Sequence, residues 1–246
     1  MKPVITFILP TYKETKSVHQ LILDLHKASP DDYSIIIVDD SPNNHTVEYC
    51  ENAFNECGWK IENIEIIKNS HKGGRGHAVK MGLELALRNP LTNCFVEMDS
   101  DGSHSAEMAL KVAVNVPHLD FCIGSRYLRE SKIIGWSLER RIFSKAINSI
   151  LRGAFNSEIS DWTNGLRAYS RSATRALCEH QALTTGFIYL SEQAVILTNG
   201  NYQVGEVPII FQNRTFGEST VTVRELSDSL LGVFRILRNK SQLTLR

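Results

Sequence analysis

No stretch of this 246-residue chain approaches the ~20 consecutive apolar residues that a membrane-spanning helix requires, although 42% of its residues are hydrophobic. The N-terminal apolar run, Val4 to Leu9, is too short for a signal-peptide core and is closed by Pro10 and the charged Lys13-Glu14. The five cysteines are odd in number, widely spread and contain no C-x-x-C pair, so neither a zinc knuckle nor a dithiol redox site is expected. A reducing, cytoplasmic setting is the expectation. The glycine-rich stretch Lys72 to Gly76 is followed by no G-K-[ST] and does not read G-x-G-x-x-G, which excludes a Walker P-loop and a dinucleotide fingerprint. There is no internal repeat, low-complexity tract or linker.

Net charge is also missing, because 27 basic residues balance 27 acidic ones. The balance is not local. Residues 1–120 carry 11 basic and 17 acidic side chains, whereas residues 121–180 carry 10 and 5. An acidic front half precedes a basic middle segment, and nucleic acid is not an expected partner.

What is present is a strand–helix rhythm. Val4–Leu9 and Ile35–Val38 are short apolar, β-branched runs, as expected of strands buried on both faces, and Ile61–Ile67, Cys94–Met98 and Leu119–Ile123 read as further strands. Between them Val18, Leu21, Ile22 and Leu25, then Val47, Cys50 and Phe54, recur at helical spacing, with Gly58 as a stop. Further helices are expected over 77–87 and from about Ser137 to Phe155. Tyr202 to Phe211 reads as an edge strand, since Pro208 cannot donate to a ladder. The fold class that follows is α/β, a mostly parallel open sheet with helices on both faces, whose ligands bind beyond the carboxyl ends of the strands. A single domain is expected, with 1–120 as the donor and metal half, 121–220 as the acceptor half, and 221–246 as an amphipathic helix and tail. That helix, with Val223, Leu226, Leu230, Val233 and Leu237 on one stripe, is expected to dock on the body or to lie on a membrane surface.

The strand ends carry the chemistry. Asp99 and Asp101 are two apart, so in extended geometry both project to one side, where hard oxygen ligands suit Mg²⁺ or Mn²⁺. Asp39-Asp40 ends another strand, and Glu14 follows the first. The Lys72–Gly76 loop precedes a helix and offers backbone N–H groups to an anion. Arg126, Arg140 and Arg141 suit phosphate recognition by their forked guanidinium groups. Asp161 and Glu192 are the carboxylates available as a general base for a hydroxyl acceptor; each is equally readable as structural, Asp161 in a turn and Glu192 paired with an arginine.

With those residues in place the chain resembles a family 2 glycosyltransferase of the A-type nucleotide-sugar fold, and most the dolichol-phosphate mannose synthase group. The matching motifs run in order: LPTYKE (9–14), IIIVDDS (35–41), HKGGRGHAV (71–79), MDSDGSH (98–104), GSRY (124–127), GWSLERRIFSKAIN (135–148), SDWTNGLRAYSR (160–171) and VPIIFQNRTFGEST (207–220). The resemblance implies inverting transfer of a sugar from a nucleotide diphosphate to a polyprenyl phosphate at the cytoplasmic face of a membrane. The chain would reach that membrane peripherally, through its C-terminal helix or a small membrane subunit.

Carried over by position, Pro10, Tyr12, Glu14, Asp39 and Asp40 hold the nucleoside, and Lys72 and Arg214 lie near the donor. Asp99, Asp101 and Ser103 organise the metal and diphosphate. Arg126, Arg140 and Ser144 face the sugar and the acceptor phosphate. Departures fall at Lys13, Pro42 to His45, Gly102 and Thr220. The alternatives are transfer to a saccharide hydroxyl and a non-catalytic nucleotide-sugar-binding subunit.

Overall fold

Period-two alternation within the strands sorts the apolar side chains into two cores, one on each face of a central sheet. The computed structural model describes residues 4–28, 33–58, 64–69, 73–182, 184, 186, 188–213, 223–239 and 243. The sheet contains β1 (Ile5–Thr11), β2 (Tyr33–Asp39), β3 (Ile64–Lys68), β4 (Cys94–Glu97), β5 (Phe121–Ser125), β7 (Arg167–Ser170) and β8 (Val204–Pro208). Ile8, Val38, Phe95 and Ile123 point to one core, while Phe7, Leu9, Ile37 and Val96 point to the other. β6 (Lys132–Ile134) and β9 (Ile210–Gln212) form a separate parallel pair.

Helices cover both faces, as the sequence predicts. α1 (Lys16–Ala28), α2 (His45–Glu56) and α4 (Ala106–Ala113) close one core, with Val18, Leu21, Ile22 and Leu25 buried on the predicted stripe of α1. α3 (Arg75–Ala86), α5 (Leu138–Phe155), α6 (Arg171–Glu179), α7 (Tyr189–Asn199) and α8 (Val223–Arg238) lie on the other side. α2 ends where predicted: Gly58 follows the helix at φ +63°, a left-handed conformation that glycine adopts without strain. α8 docks on the body through Val233 and Ile236, and a Cβ on its Gly232 would collide with the Ile188 side chain. Among the described residues no helix is long and apolar enough to cross a membrane.

The strand order β3-β2-β1-β4-β7-β5-β8 decides where the chemistry can gather. β2, β1 and β4 are parallel neighbours, so their carboxyl ends reach one edge. β7 is antiparallel to both β4 and β5, which makes β5 parallel to β4 and brings the amino end of β7 to that same edge.

The structure refines several element boundaries. α3 begins at Arg75, two residues before the expected start, and β5 runs two residues beyond Ile123. The Tyr202–Phe211 strand is in fact two: Pro208 pairs with Ser125 at the sheet edge, and after Ile209 the chain leaves to pair with β6.

Candidate active site

Three acidic strand ends meet at the β2–β1–β4 edge, and each acid has a distinct environment. Asp39 is completely buried; its Oδ1 accepts from Thr11 Oγ1 at 3.0 Å and Ser41 Oγ at 2.5 Å, and its Oδ2 from Lys68 Nζ at 2.7 Å. Asp40 accepts from Asn69 Nδ2 at 2.6 Å and from the backbone N–H groups of Gly73 and Gly74 at 3.1 and 3.0 Å. The anion held by those two amides of the glycine loop is therefore the protein's own carboxylate, not the substrate anion the sequence suggested. Glu14 accepts from Ser17 Oγ at 2.6 Å, and the Tyr12 ring stands beside Lys13 Nζ, with Lys13 at φ +59°. Pro10 accepts the Ser100 hydroxyl on its carbonyl at 3.0 Å, tying the end of β1 to the Asp99–Asp101 segment. Lys72, Arg214 and the departure at Thr220 lie outside the described residues.

β4 stops at Glu97, so extended alternation does not carry on to Asp101. The two acids that share a side are Glu97 and Asp99, and Arg75 joins them. Its Nε and Nη2 both lie 2.8 Å from Asp99 Oδ1, and its Nη1 pairs with Glu97 Oε1. Burial alone would raise the Asp99 carboxyl; Arg75 and then His104, whose Nε2 stands 3.5 Å from Oδ2, hold it well below the usual carboxylate range. Asp101 accepts the Ser103 N–H at 3.0 Å, closing a tight turn.

The donor set fits a hard cation of a particular kind. Among the described residues no three His, Cys, Asp or Glu side chains converge as a cage. Yet Ser103 Oγ is buried without a hydrogen-bond partner, and the Asp99 side chain keeps about a quarter of its surface open. Oxygen donors this few suit Mg²⁺ or Mn²⁺ that draws its other ligands from water and phosphates.

Beyond β5, Arg126 is buried in a ring of aromatic faces: its Cζ lies 5.6 Å from the Tyr127 centroid, 5.0 Å from Trp136 and 5.5 Å from Phe211. Burial works against its charge, but Asp161, and with a smaller effect Asp99, raise its proton affinity above the ordinary value. Arg140 Cζ stands 4.2 Å from the same Trp136 ring, so the indole is flanked by two guanidinium groups. α5 is started here by Ser137, whose hydroxyl accepts the Arg140 N–H. Tyr127 donates to Ser144 Oγ at 2.6 Å, and Arg141 Nη2 donates to the Ile133 carbonyl at 2.7 Å. The structure thus brings Arg126, Arg140 and Ser144 together; Arg141 is tied to β6 through Nη2, while its Nε is buried without a hydrogen-bond partner.

The two base candidates are differently placed. Asp161 is fully buried and grips Arg126. Glu206 on β8 holds the Asp161 loop by accepting Ser160 N at 2.8 Å, Ser160 Oγ at 3.0 Å and Asp161 N at 2.9 Å. Glu192, buried on α7, accepts from Thr184 Oγ1 at 2.6 Å and stands 3.7 Å from His180.

Sequence reasoning passed over Arg75, Glu97, His104 and Glu206. For Glu97 a signal existed: an acid inside the apolar run CFVEM must find a cation or donors once the strand is buried.

The sequence model described as Glycosyl transferase family 2 matches residues 6–178. Polyprenol monophosphomannose synthase of Mycolicibacterium smegmatis is 27% identical over 227 residues, covering 92% of this chain and 84% of the relative. Undecaprenyl-phosphate mannosyltransferase of Micrococcus luteus is 27% identical over 228 residues, covering 93% and 91%. Dolichol-phosphate mannosyltransferase of Pyrococcus furiosus is 28% identical over 239 residues, covering 95% and 64%. Among solved structures, glucosyl-3-phosphoglycerate synthase from Mycobacterium tuberculosis, in complex with Mn²⁺, uridine diphosphate and phosphoglyceric acid, shares the fold with a TM-score of 0.67. Its sequence identity is 14%, and the match covers 97% of this chain and 78% of that one. Fold, motif order and family match agree: the chain is a glycosyltransferase and belongs to Glycosyl transferase family 2.

Proposed function

We propose that the protein transfers a sugar, with mannose the first to test, from a nucleotide diphosphate donor to a polyprenyl phosphate, with inversion and with the help of Mg²⁺ or Mn²⁺. The observation that carries this reading is that both base candidates are engaged. Asp161 is fully buried and committed to Arg126, and Glu192 is buried against Thr184. A hydroxyl acceptor needs a base to take its proton during attack. A phosphate monoester is already ionised near neutral pH and needs cations instead. The similarity to three polyprenyl-phosphate mannosyltransferases supports the same acceptor.

This reading divides the labour among the site residues. Asp39 and Asp40 brace the ends of β2 and the glycine loop, and Tyr12 and Glu14 border the nucleoside side. Asp99, Asp101 and Ser103 would hold the cation, which when bound neutralises charge on the departing diphosphate as a Lewis acid. Arg140 and Ser144, beside the anchored Arg126, draw the acceptor phosphate toward the donor sugar against like-charge repulsion. Attack by the acceptor oxygen on the face opposite the leaving diphosphate forms the new glycosyl bond and inverts the centre.

The acceptor is a lipid, and α5 with α8 offers a face suited to it. Leu138, Ile142 and Ile150 on α5 are 68, 59 and 49% exposed, and Leu231 and Phe234 on α8 are 57 and 64% exposed. Glu139 is the one acid of α5, which carries Arg140, Arg141, Lys145 and Arg152. Peripheral docking through this face takes the place of a small membrane subunit.

Labelled GDP-mannose and a panel of UDP-sugars, incubated with the protein and a short-chain polyprenyl phosphate, test the proposal. Label entering the organic phase with Mn²⁺ or Mg²⁺ is expected. Label entering only an oligosaccharide overturns the acceptor assignment, and donor binding without any transfer overturns catalysis.

A further inference from the structure

Arg75 is the point at which the acidic strand end and the opposite core meet. Its Nη1 donates to Glu97 Oε1 and to the Tyr189 hydroxyl, and Nη2 approaches the Gly165 carbonyl at 3.4 Å. Its Cζ stands 5.5 Å from the Tyr189 ring. Glu97 is completely buried and also accepts from Tyr169 Oη at 2.9 Å and from Tyr189 Oη. A guanidinium fastened to a buried carboxylate does not leave it cheaply, since an uncompensated charge would remain. Arg75 is therefore fixed from behind, and its remaining donors fix Asp99 through Oδ1. The backbone is shaped around this contact: a Cβ on Gly165 would lie 2.6 Å from Arg75 Nη2 and 2.9 Å from Asp99 Oδ2.

We propose that Arg75 is a positioning residue for the cation site. It occupies Asp99 Oδ1, so that Oδ2, which His104 Nε2 faces at 3.5 Å, is the oxygen that would be left for a cation, in an orientation set by Glu97 and Tyr189. The inference rests on Asp99 being a cation ligand. Hydrogen bonds to a ligating carboxylate from outside the coordination shell are worth about 10–100-fold in metal affinity. Lysine at this position keeps the charge but lacks the planar fork that reaches Glu97 and Asp99 together.

The test is a titration of Mn²⁺ alone into the full chain, following the electron paramagnetic resonance signal of free Mn²⁺, with circular dichroism confirming the fold. Arg75→Lys is expected to weaken Mn²⁺ binding about 10–100-fold, and Tyr189→Phe to weaken it in the same direction by a smaller factor. A folded Arg75→Lys protein that binds Mn²⁺ as tightly as the parent, or more tightly, overturns the proposal. If Arg75→Lys does not fold, Tyr189→Phe decides by the same criterion. Asp99→Asn serves as the control: unchanged Mn²⁺ binding in that variant would instead sink the assignment of Asp99 as a ligand.

Discussion

Arg126 and Asp161 meet fork to fork, Nε lying 2.8 Å from Oδ2 and Nη2 2.8 Å from Oδ1, while the Arg126 backbone N–H adds a third bond to Oδ2 at 3.0 Å. Both residues are buried. Burial raises the Asp161 carboxyl, but Arg126 outweighs it and leaves the group below its ordinary value. A carboxyl lowered on folding contributes stability that is fully present above its unfolded pKa and is lost as pH falls through the folded one.

Asp161→Asn strands a buried guanidinium and is expected to cost about 3 kcal/mol at pH 7. The cost relative to the parent should shrink below about pH 4, where the unfolded carboxyl takes up its proton. Urea midpoints at pH 7 and pH 3 check both statements. A gap that stays constant between the two pH values would show that the ion pair is not its source.

Asp101 combines a turn with a proposed charge, and one substitution separates them. Asparagine can still accept the Ser103 N–H that Asp101 accepts at 3.0 Å, so the turn should survive in Asp101→Asn. Turnover should fall about a hundredfold, the scale on which removing one charge-stabilising group acts, with the melting temperature little changed. Equal losses of stability and activity would instead assign Asp101 to the turn.

Gly165→Ala tests how closely the amino end of β7 must approach the site. The added methyl would meet Arg75 Nη2 and Asp99 Oδ2 at less than 3.0 Å, and neither can retreat freely because Glu97 and Tyr189 hold Arg75 in place. A displacement of even 1 Å at a reacting centre can cost about a hundredfold in rate. The expected outcome is a fall in kcat together with a loss of about 1–3 kcal/mol in stability, the usual cost of overpacking. Measured kcat equal to the parent's would show that the Arg75–Asp99 pair has room to shift.

The parallel half of the fold was legible because VITFIL, IIIV and CFVEM are apolar runs that only doubly covered strands need. β7 was not legible, since Arg167–Ser170 is four residues long and opens with an arginine. Arg167 is completely buried and satisfied by the carbonyls of Asn164, Trp162 and Leu190, a solution invisible to hydropathy. Likewise the residues of the site were legible one by one, as acids at strand ends and grouped arginines, but not their partners. That Asp40 fills the glycine loop, or that Arg75 spans Glu97 and Asp99, depends on which strands become neighbours.

The outer face of α5 supplies the remaining prediction. Leu138 and Ile142 lie one turn apart and expose most of their surface, and burying a large apolar side chain is worth about 1.5–3 kcal/mol. Lys145 lies on the same helix, where a basic group near an anionic membrane adds about 1 kcal/mol, whereas Arg152 is already paired with Glu158 at 3.2 Å. The face should therefore bind vesicles containing phosphatidylglycerol more tightly than neutral ones, with an advantage that declines as salt screens the charges. Leu138→Glu combined with Ile142→Glu should reduce vesicle binding by at least about a hundredfold, since the apolar gain is lost and like charge is added. Neither side chain packs into the cores, so transfer to a detergent-dispersed short-chain polyprenyl phosphate should persist while transfer to the same phosphate in vesicles falls. Co-sedimentation and the two transfer assays separate the effects: vesicle binding that survives the double substitution would move the membrane contact away from α5.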